Sequence, residues 1–334
     1  MSKTKYIFSN GVLKRKDFSI AFQTEENKKW VYIPIKNTRE LMCFGKINCN
    51  NDFLDLMGRS GIIIHFFDYY GHYTGSFYPK NYLLSGKLLV KQVEAFKEKR
   101  QKIARNIVIG IIENIEFVLY HYYRHGINEL YTTIQDLRNI KKQLNHQNLK
   151  IKEVLMYEGL AWNMFYSSFK YFLNTSFLFN KRVKRPPDNP LNAMISFGNS
   201  LLYSKTISQI YHTHLDQRIS FLHEPSEARF SLSLDLSETF KPLIVFKTIF
   251  DLINNQKIKI EKHFIKKLNY CILNEEGKKI FITNLENRLN KIIYHPKLKR
   301  KVTYITLIKL EGYKLIKEIL EDVPFLPYCE KEKY

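Results

Sequence analysis

The spacing of apolar residues along this chain changes near residue 80. Before it they come in short runs, at 6–8, 12–13, 19–22, 30–33, 62–67 and 73–77, separated by polar or glycine-containing turns. Runs of this length, rich in Ile, Val, Tyr and Phe, read as strands. Asn10-Gly11 between the first two runs is a strong hairpin signal, since both residue types tolerate φ > 0, and predicts that 6–8 pairs with 12–13. A second strand pair is predicted around Tyr70-Gly71. One short helix, 51–57, interrupts the strands, stopped by Gly58 and Gly61.

After Pro79 the period lengthens. Ile103, Ile107, Ile111, Ile115 and Leu119 recur every four residues, which marks one face of a long helix ending at Gly126. Further helices are predicted at about 150–178, 191–208, 228–254, 259–273, 282–292 and 305–321. The fold class is therefore α+β and multidomain: a small β-rich domain over 1–83 and a larger, all-α domain over 84–334.

Composition narrows the partners. Of 334 residues, 53 are Lys or Arg and 32 Asp or Glu, a net charge of +21. That excess favours a polyanion, nucleic acid before membrane, because no helix joins a basic face to an exposed apolar one. The charge is spread over both parts rather than gathered in a tail, so any basic surface must be made by the fold. Cys43, Cys49, Cys271 and Cys329 form no C-x-x-C pair, and the N-terminus lacks the apolar core of a signal peptide. A cytoplasmic protein with free thiols is expected. P-loop, dinucleotide-binding and serine-elbow motifs are missing.

The residues that could carry chemistry lie after position 150. Glu158 falls in one helical stripe with Ile151, Leu155, Trp162, Phe165, Phe169 and Phe172. A carboxylate there must be paired, protonated or bound to metal, because burying a lone charge is costly; a salt bridge would serve as well as a metal. His223 lies in the run 221–225 (FLHEP). Asp235 and Glu238, three apart, project from one side of a helix that Pro242 would kink. Read alone, they could equally be a satisfied core histidine and a solvated acidic face. Taken together, an imidazole and carboxylates from separate elements form the mixed N/O donor set that suits Mn²⁺ or Mg²⁺. In a basic protein this points to phosphodiester chemistry, where a divalent metal offsets charge on phosphoryl oxygens and activates a hydroxyl.

At these residues the sequence resembles the CRISPR spacer-acquisition integrases, the Cas-one family. The resemblance runs through 64–71 (IHFFDYYG), 75–79 (GSFYP), 157–161 (YEGLA), 185–193 (RPPDNPLNA), 197–203 (FGNSLLY), 221–225 (FLHEP), 229–232 (RFSL) and 235–242 (DLSETFKP), and its wording is closest to the subtype I-B branch. Ser220 and Gln217 depart from it, beside the ligand motif but not in it. The resemblance implies a β-sandwich-like N-terminal domain that dimerises, and a helical catalytic domain whose metal ligands and catalytic residues are Glu158, His223 and Glu238, with Asp235 in support. It implies a metal-dependent DNA endonuclease and integrase of antiviral defence. In that reaction the 3′-hydroxyl of a protospacer attacks a phosphodiester at the CRISPR leader–repeat junction. Partners would be double-stranded DNA, a second copy of the chain and the small Cas-two protein, with a Cas-four processing nuclease left open. Lys184, Arg185, Arg229 and Lys241 are the candidate DNA contacts. The competing readings are a metal-dependent nuclease of DNA repair or of a mobile element, and a non-catalytic DNA-binding scaffold.

Overall fold

In the computed structural model, strand β1 (Lys3–Ile7) does not turn back on β2 (Gly11–Lys16). It runs parallel to β5 (Thr38–Cys43), while β2 pairs antiparallel with β3 (Ser19–Thr24) and parallel with β6 (Ile47–Cys49). Asn10-Gly11 is thus a crossover between two sheets, and the hairpin that its sequence predicts does not form. Neither residue has a positive φ, which the hairpin turn would need. The glycine is required for closeness instead: a Cβ at residue 11 would lie 2.2 Å from the Gln23 carbonyl oxygen. Asn10 accepts the Lys46 backbone N–H at 2.8 Å and so ties the crossover to the link between β5 and β6. The structure describes residues 3–331 apart from 81, 82, 84, 146–148, 178–180, 226–229 and 296–297.

With β4 (Val31–Pro34), β7 (Ile63–Phe67) and β8 (Tyr73–Phe77), these strands build two four-stranded sheets, ordered β1-β5-β7-β8 and β4-β3-β2-β6. The pair β7–β8 is the antiparallel one expected around Gly71. Both sheets share one apolar core, with Ile7, Leu41, Cys43 and Ile64 from the first and Leu13 and Ile20 from the second. Phe53, Leu56 and Met57 of helix α1 (Asn51–Ser60) complete it. Asn50 caps this helix on the Phe53 N–H at 3.2 Å. The helix continues through Gly58, against the expected stop, and ends at Gly61. These elements form one compact unit, Met1–Leu84; the rest form a second, Ser85–Tyr334.

The second unit opens with α2 (Gly86–Glu98), α3 (Arg100–Arg124), α4 (Leu130–Leu144) and α5 (Ile151–Ser168). The four-residue stripe is the buried face of α3, with Ile103, Ile107, Ile111, Ile115 and Leu119 all shielded from solvent. Helix α6 (Pro190–Tyr211) starts where Asn189 caps the Asn192 N–H at 2.9 Å and Pro190 takes a first-turn position that needs no N–H. Nearly all of α6 is buried, which is why it shows no amphipathic pattern. Helix α7 (Ser231–Lys241) leads through a wide π-turn, Pro242–Phe246, into α8 (Lys247–Asn254).

The expected helix over 259–273 is not formed. One turn, α9 (Ile260–His263), gives way to a hairpin of β9 (Phe264–Lys267) and β10 (Tyr270–Leu273). Leu268 at its tip is fully exposed, while Cys271, Ile272 and Leu273 are buried. The strand also borrows a partner from elsewhere, since the Cys271 N–H donates to the Pro187 carbonyl at 2.8 Å. After α10 (Glu275–Leu289) a second hairpin follows, β11 (Ile292–His295) with β12 (Arg300–Thr303), and then α11 (Tyr304–Glu321). The second unit is helical with two small hairpins, and the chain as a whole is α+β. All four cysteines are free thiols. Among the described residues no helix is long and apolar enough to cross a membrane.

Candidate metal centre

Three elements of the second unit each deliver one side chain to a common point. Glu158 comes from the middle of α5, His223 from the loop before α7, and Glu238 from α7 one turn before Pro242. One donor atom of each lies within 4.8 Å of the others. The Glu158 Oε1 accepts from the Trp162 indole Nε1 at 3.2 Å, one helical turn along α5. Trp162 is itself held by the rings of Phe165, Tyr166 and Phe246, so the carboxyl is aimed by a packed aromatic wall. Glu238 is almost wholly buried, and its Oε1 accepts from the Lys241 ammonium three residues on.

Asp235 organises His223, the third side chain of the cluster. It has no exposed surface. Its Oδ2 accepts the backbone N–H groups of Phe221 and Leu222 at 2.7 and 2.8 Å, and its Oδ1 the His223 N–H at 3.1 Å. The same Oδ1 lies 2.8 Å from His223 Nδ1. With Nδ1–H donating there, Nε2 keeps the lone pair for a metal, the arrangement by which a carboxylate fixes a ligating imidazole. The loop is closed from its other side. Ser220 Oγ donates to the His223 carbonyl at 2.8 Å, and Arg100 reaches the Phe221 carbonyl at 3.0 Å and the Glu224 carboxylate at 2.7 Å.

Electrostatics make this cluster short of cations. Burial, together with the nearby charge of Glu238, pushes the Glu158 carboxyl up to about 7. Burial alone would lower His223, but the hydrogen bond and charge of Asp235, aided by Glu238 and Glu158, outweigh it and raise the imidazole above its ordinary value. A carboxyl that holds its proton near neutrality because it is buried beside a second acid is one that a divalent cation relieves. The donors are one imidazole nitrogen and carboxylate oxygens, with no thiolate. They fit Mn²⁺ or Mg²⁺, and such a site can fix a phosphodiester oxygen.

The segment from 5 to 287 matches the family described as CRISPR associated protein Cas1. The CRISPR-associated endonuclease Cas1 2 of Thermodesulfovibrio yellowstonii is 43% identical over 333 residues, covering 98% of this chain and 99% of its own. The solved Cas1 protein of Thermotoga maritima superposes with a TM-score of 0.87 at 37% identity, over 99% of this chain and 100% of its own. The chain belongs to the Cas1 family. A casposase bound to its integration product shares the Cas1 fold, with a TM-score of 0.84 at 20% identity, over 99% of this chain and 94% of its own.

In this Cas1 chain the sequence-predicted residues do not all fall together. Glu158, His223, Asp235 and Glu238 converge. Lys241, expected as a DNA contact, is mostly buried and pairs with Glu238 inside the cluster. Lys184 and Arg185 are exposed in the segment ahead of α6, and Arg229 lies outside the described residues. Sequence reasoning missed the indole donor Trp162, whose place in the apolar stripe gave no sign of a polar task. It also missed Arg100, which is distant in sequence from the loop it clamps.

Proposed function

We propose that this chain is the metal-dependent DNA endonuclease and integrase of CRISPR adaptation, with Glu158, His223 and Glu238 as its metal ligands. The observation that carries this reading is the convergence of those three side chains, from three separate elements, inside a Cas1 fold. A Mn²⁺ or Mg²⁺ held there would supply charge stabilisation for a phosphodiester under attack and would favour the ionised form of the attacking hydroxyl.

The protein's own groups do the remainder. Asp235 fixes the imidazole tautomer and the loop that carries it. Trp162 orients Glu158, and the wall of Phe165, Tyr166 and Phe246 around it excludes water from that side. Lys241 places a cation beside the acids, where it offsets their mutual repulsion. The exposed Lys184 and Arg185 ahead of α6 contact DNA phosphates, in keeping with a chain of net charge +21. The substrates are a protospacer duplex bearing a 3′-hydroxyl and the leader–repeat junction of a CRISPR array. The assembly contains a second copy of the chain and the small Cas2 protein.

The test is a joining assay with purified protein and Cas2, a labelled duplex and a plasmid carrying the array. Joining is expected with Mn²⁺ or Mg²⁺, and lost in EDTA, with a 3′-deoxy end, or in Glu158→Ala, His223→Ala and Glu238→Ala, while DNA binding by these variants survives. Joining that persists in chelator overturns the reading.

A further inference from the structure

Asn114 sits in the middle of α3 among isoleucines, with no exposed surface. Its amide has two N–H groups and a carbonyl, and all are engaged. Nδ2 donates to the Thr239 carbonyl at 2.8 Å and to the Tyr328 carbonyl at 2.9 Å, and Oδ1 accepts the Glu330 N–H at 3.0 Å. Thr239 is the residue after Glu238. The backbone here is not an ordinary helix: Pro242 has no N–H to offer the Glu238 carbonyl, and the chain widens into the π-turn Pro242–Phe246. Just ahead of this wider turn, the carbonyl next to the metal-binding acid receives a side-chain donor from another helix.

The tail after α11 is held in the same place. Its backbone is served by Asn106, which donates to the Phe325 carbonyl at 2.9 Å. Glu318 and Glu311 accept the Phe325 and Tyr328 N–H groups at 2.6 and 3.1 Å. Of the residues serving the tail in these bonds, only Asn114 also bonds to α7. The Tyr328 ring lies parallel to that of Phe240, two residues beyond Glu238, with centroids 6.3 Å apart. Asn114 therefore joins the tail to the turn that carries the ligand.

We propose that Asn114 is a positioning residue of the metal centre. By fixing the Thr239 carbonyl in the last turn of α7, ahead of the widened turn, it sets where the Glu238 carboxylate stands relative to Glu158 and His223. The inference rests on the reading of those three residues as metal ligands. Replacing Asn114 with Ala would remove a donor from the Thr239 and Tyr328 carbonyls, and the last turn of α7 would lose its tie to the tail.

The experiment is Mn²⁺ titration of the DNA-free protein, followed by calorimetry or by the free-ion signal, on the parent, Asn114→Ala, Asn114→Ser and Asn106→Ala. Outer partners of metal ligands typically alter affinity by about 10- to 100-fold, and Asn114→Ala is expected to weaken Mn²⁺ binding by at least about tenfold. Integration should then need correspondingly more metal for half-maximal rate, while the rate at saturating metal changes little. Asn106→Ala removes a tail bond without touching α7, so it should lower the melting temperature yet leave Mn²⁺ affinity within about twofold. Asn114→Ser, which retains one donor, should fall between parent and Ala, and carries the test if the Ala variant does not fold. Parent-like Mn²⁺ affinity in a folded Asn114 variant overturns the proposal, as does an equal loss in Asn106→Ala. A parent that binds no Mn²⁺, or binds it unchanged as Glu238→Ala, instead refutes the ligand assignment on which the proposal stands.

Discussion

His223 and Asp235 are bound twice over: the carboxylate oxygen that takes the imidazole Nδ1 at 2.8 Å also takes the histidine's own backbone N–H at 3.1 Å. Ring and backbone are referred to one buried atom, so the imidazole cannot turn without the loop moving. Asp235→Asn tests this relationship. An amide cannot accept at both positions, and its NH₂ group would meet N–H donors whichever way it is flipped. The variant is expected to lose about 1–3 kcal/mol of stability and about 10- to 100-fold in Mn²⁺ affinity. Thermal melts and metal titration check both. Loss of stability with unchanged affinity would reduce Asp235 to a loop brace.

Glu158 gives the opposite stability effect. A carboxyl pushed up to about 7 by burial and by a like charge destabilises the metal-free fold when it ionises. Glu158→Gln, at pH 7.5 and without metal, should therefore melt at or above the parent temperature. It should also lose the upward shift that Mn²⁺ gives the parent, and nearly all strand transfer. Were Glu158 instead half of a buried ion pair, its replacement would cost about 3–5 kcal/mol.

The pH dependence follows from the same two groups. Glu158 is raised from its ordinary 4.5 to about 7, and His223 is also raised. The native state thus binds more protons than the unfolded chain, and the stability these groups contribute is present at low pH and is lost as pH rises through their folded values. Without metal, the parent's melting temperature should carry a falling component from about pH 5 to above 7 that is reduced in Glu158→Gln, where only the His223 part remains. Mn²⁺ must displace those protons, so its affinity should climb over the same range and level off above it. A flat affinity profile from pH 5.5 to 7.5 would contradict the raised Glu158.

DNA binding should respond to salt and barely to sequence. With net charge +21 and exposed Lys184 and Arg185 ahead of α6, duplex affinity should fall linearly on a log–log plot against NaCl. Arg185→Glu and Lys184→Glu should each weaken binding and flatten the slope by about one. An unchanged slope removes that residue from the DNA surface. Lys241, paired with Glu238, should act on metal affinity more than on the salt slope.

What the sequence made legible was what neighbours in the chain decide. The α3 stripe and the i, i+3 pair Asp235 and Glu238 are local patterns and stand as read. The stripe around Glu158 holds for Trp162 and Phe165 but outruns its helix, since α5 ends at Ser168 and not near 178. The failures are non-local. Asn10-Gly11 has the chemistry of a tight turn, but its flanking strands found partners some 35 residues away in different sheets. Phe264 to Leu273 could serve either helix or hairpin. Pairing with the Pro187 carbonyl, which no local pattern records, favours the strand. Lys241 reads as a surface cation until α5 and α7 are brought together. Asn114 did leave a trace, an amide inside the stripe of Ile111 and Ile115, but its partners are more than 120 and 210 residues on.

The crossover at Asn10-Gly11 has a counterpart at 44–46, and the two travel together. The Phe44 N–H bonds the Ile7 carbonyl at 2.8 Å and the Gly11 N–H bonds the Lys46 carbonyl at 3.0 Å, while a Cβ at Gly45 would sit 2.3 Å from the Ser9 carbonyl oxygen. Residues 3–13 and 38–49 thus form one parallel ribbon that leaves the first sheet and enters the second without breaking. Neither sheet can open while the other stays shut, because the ribbon is a structural strand pair of both. In hydrogen exchange the amides of Leu41 and Leu13, which lie in different sheets, should be released by one common opening event and share a single protection free energy.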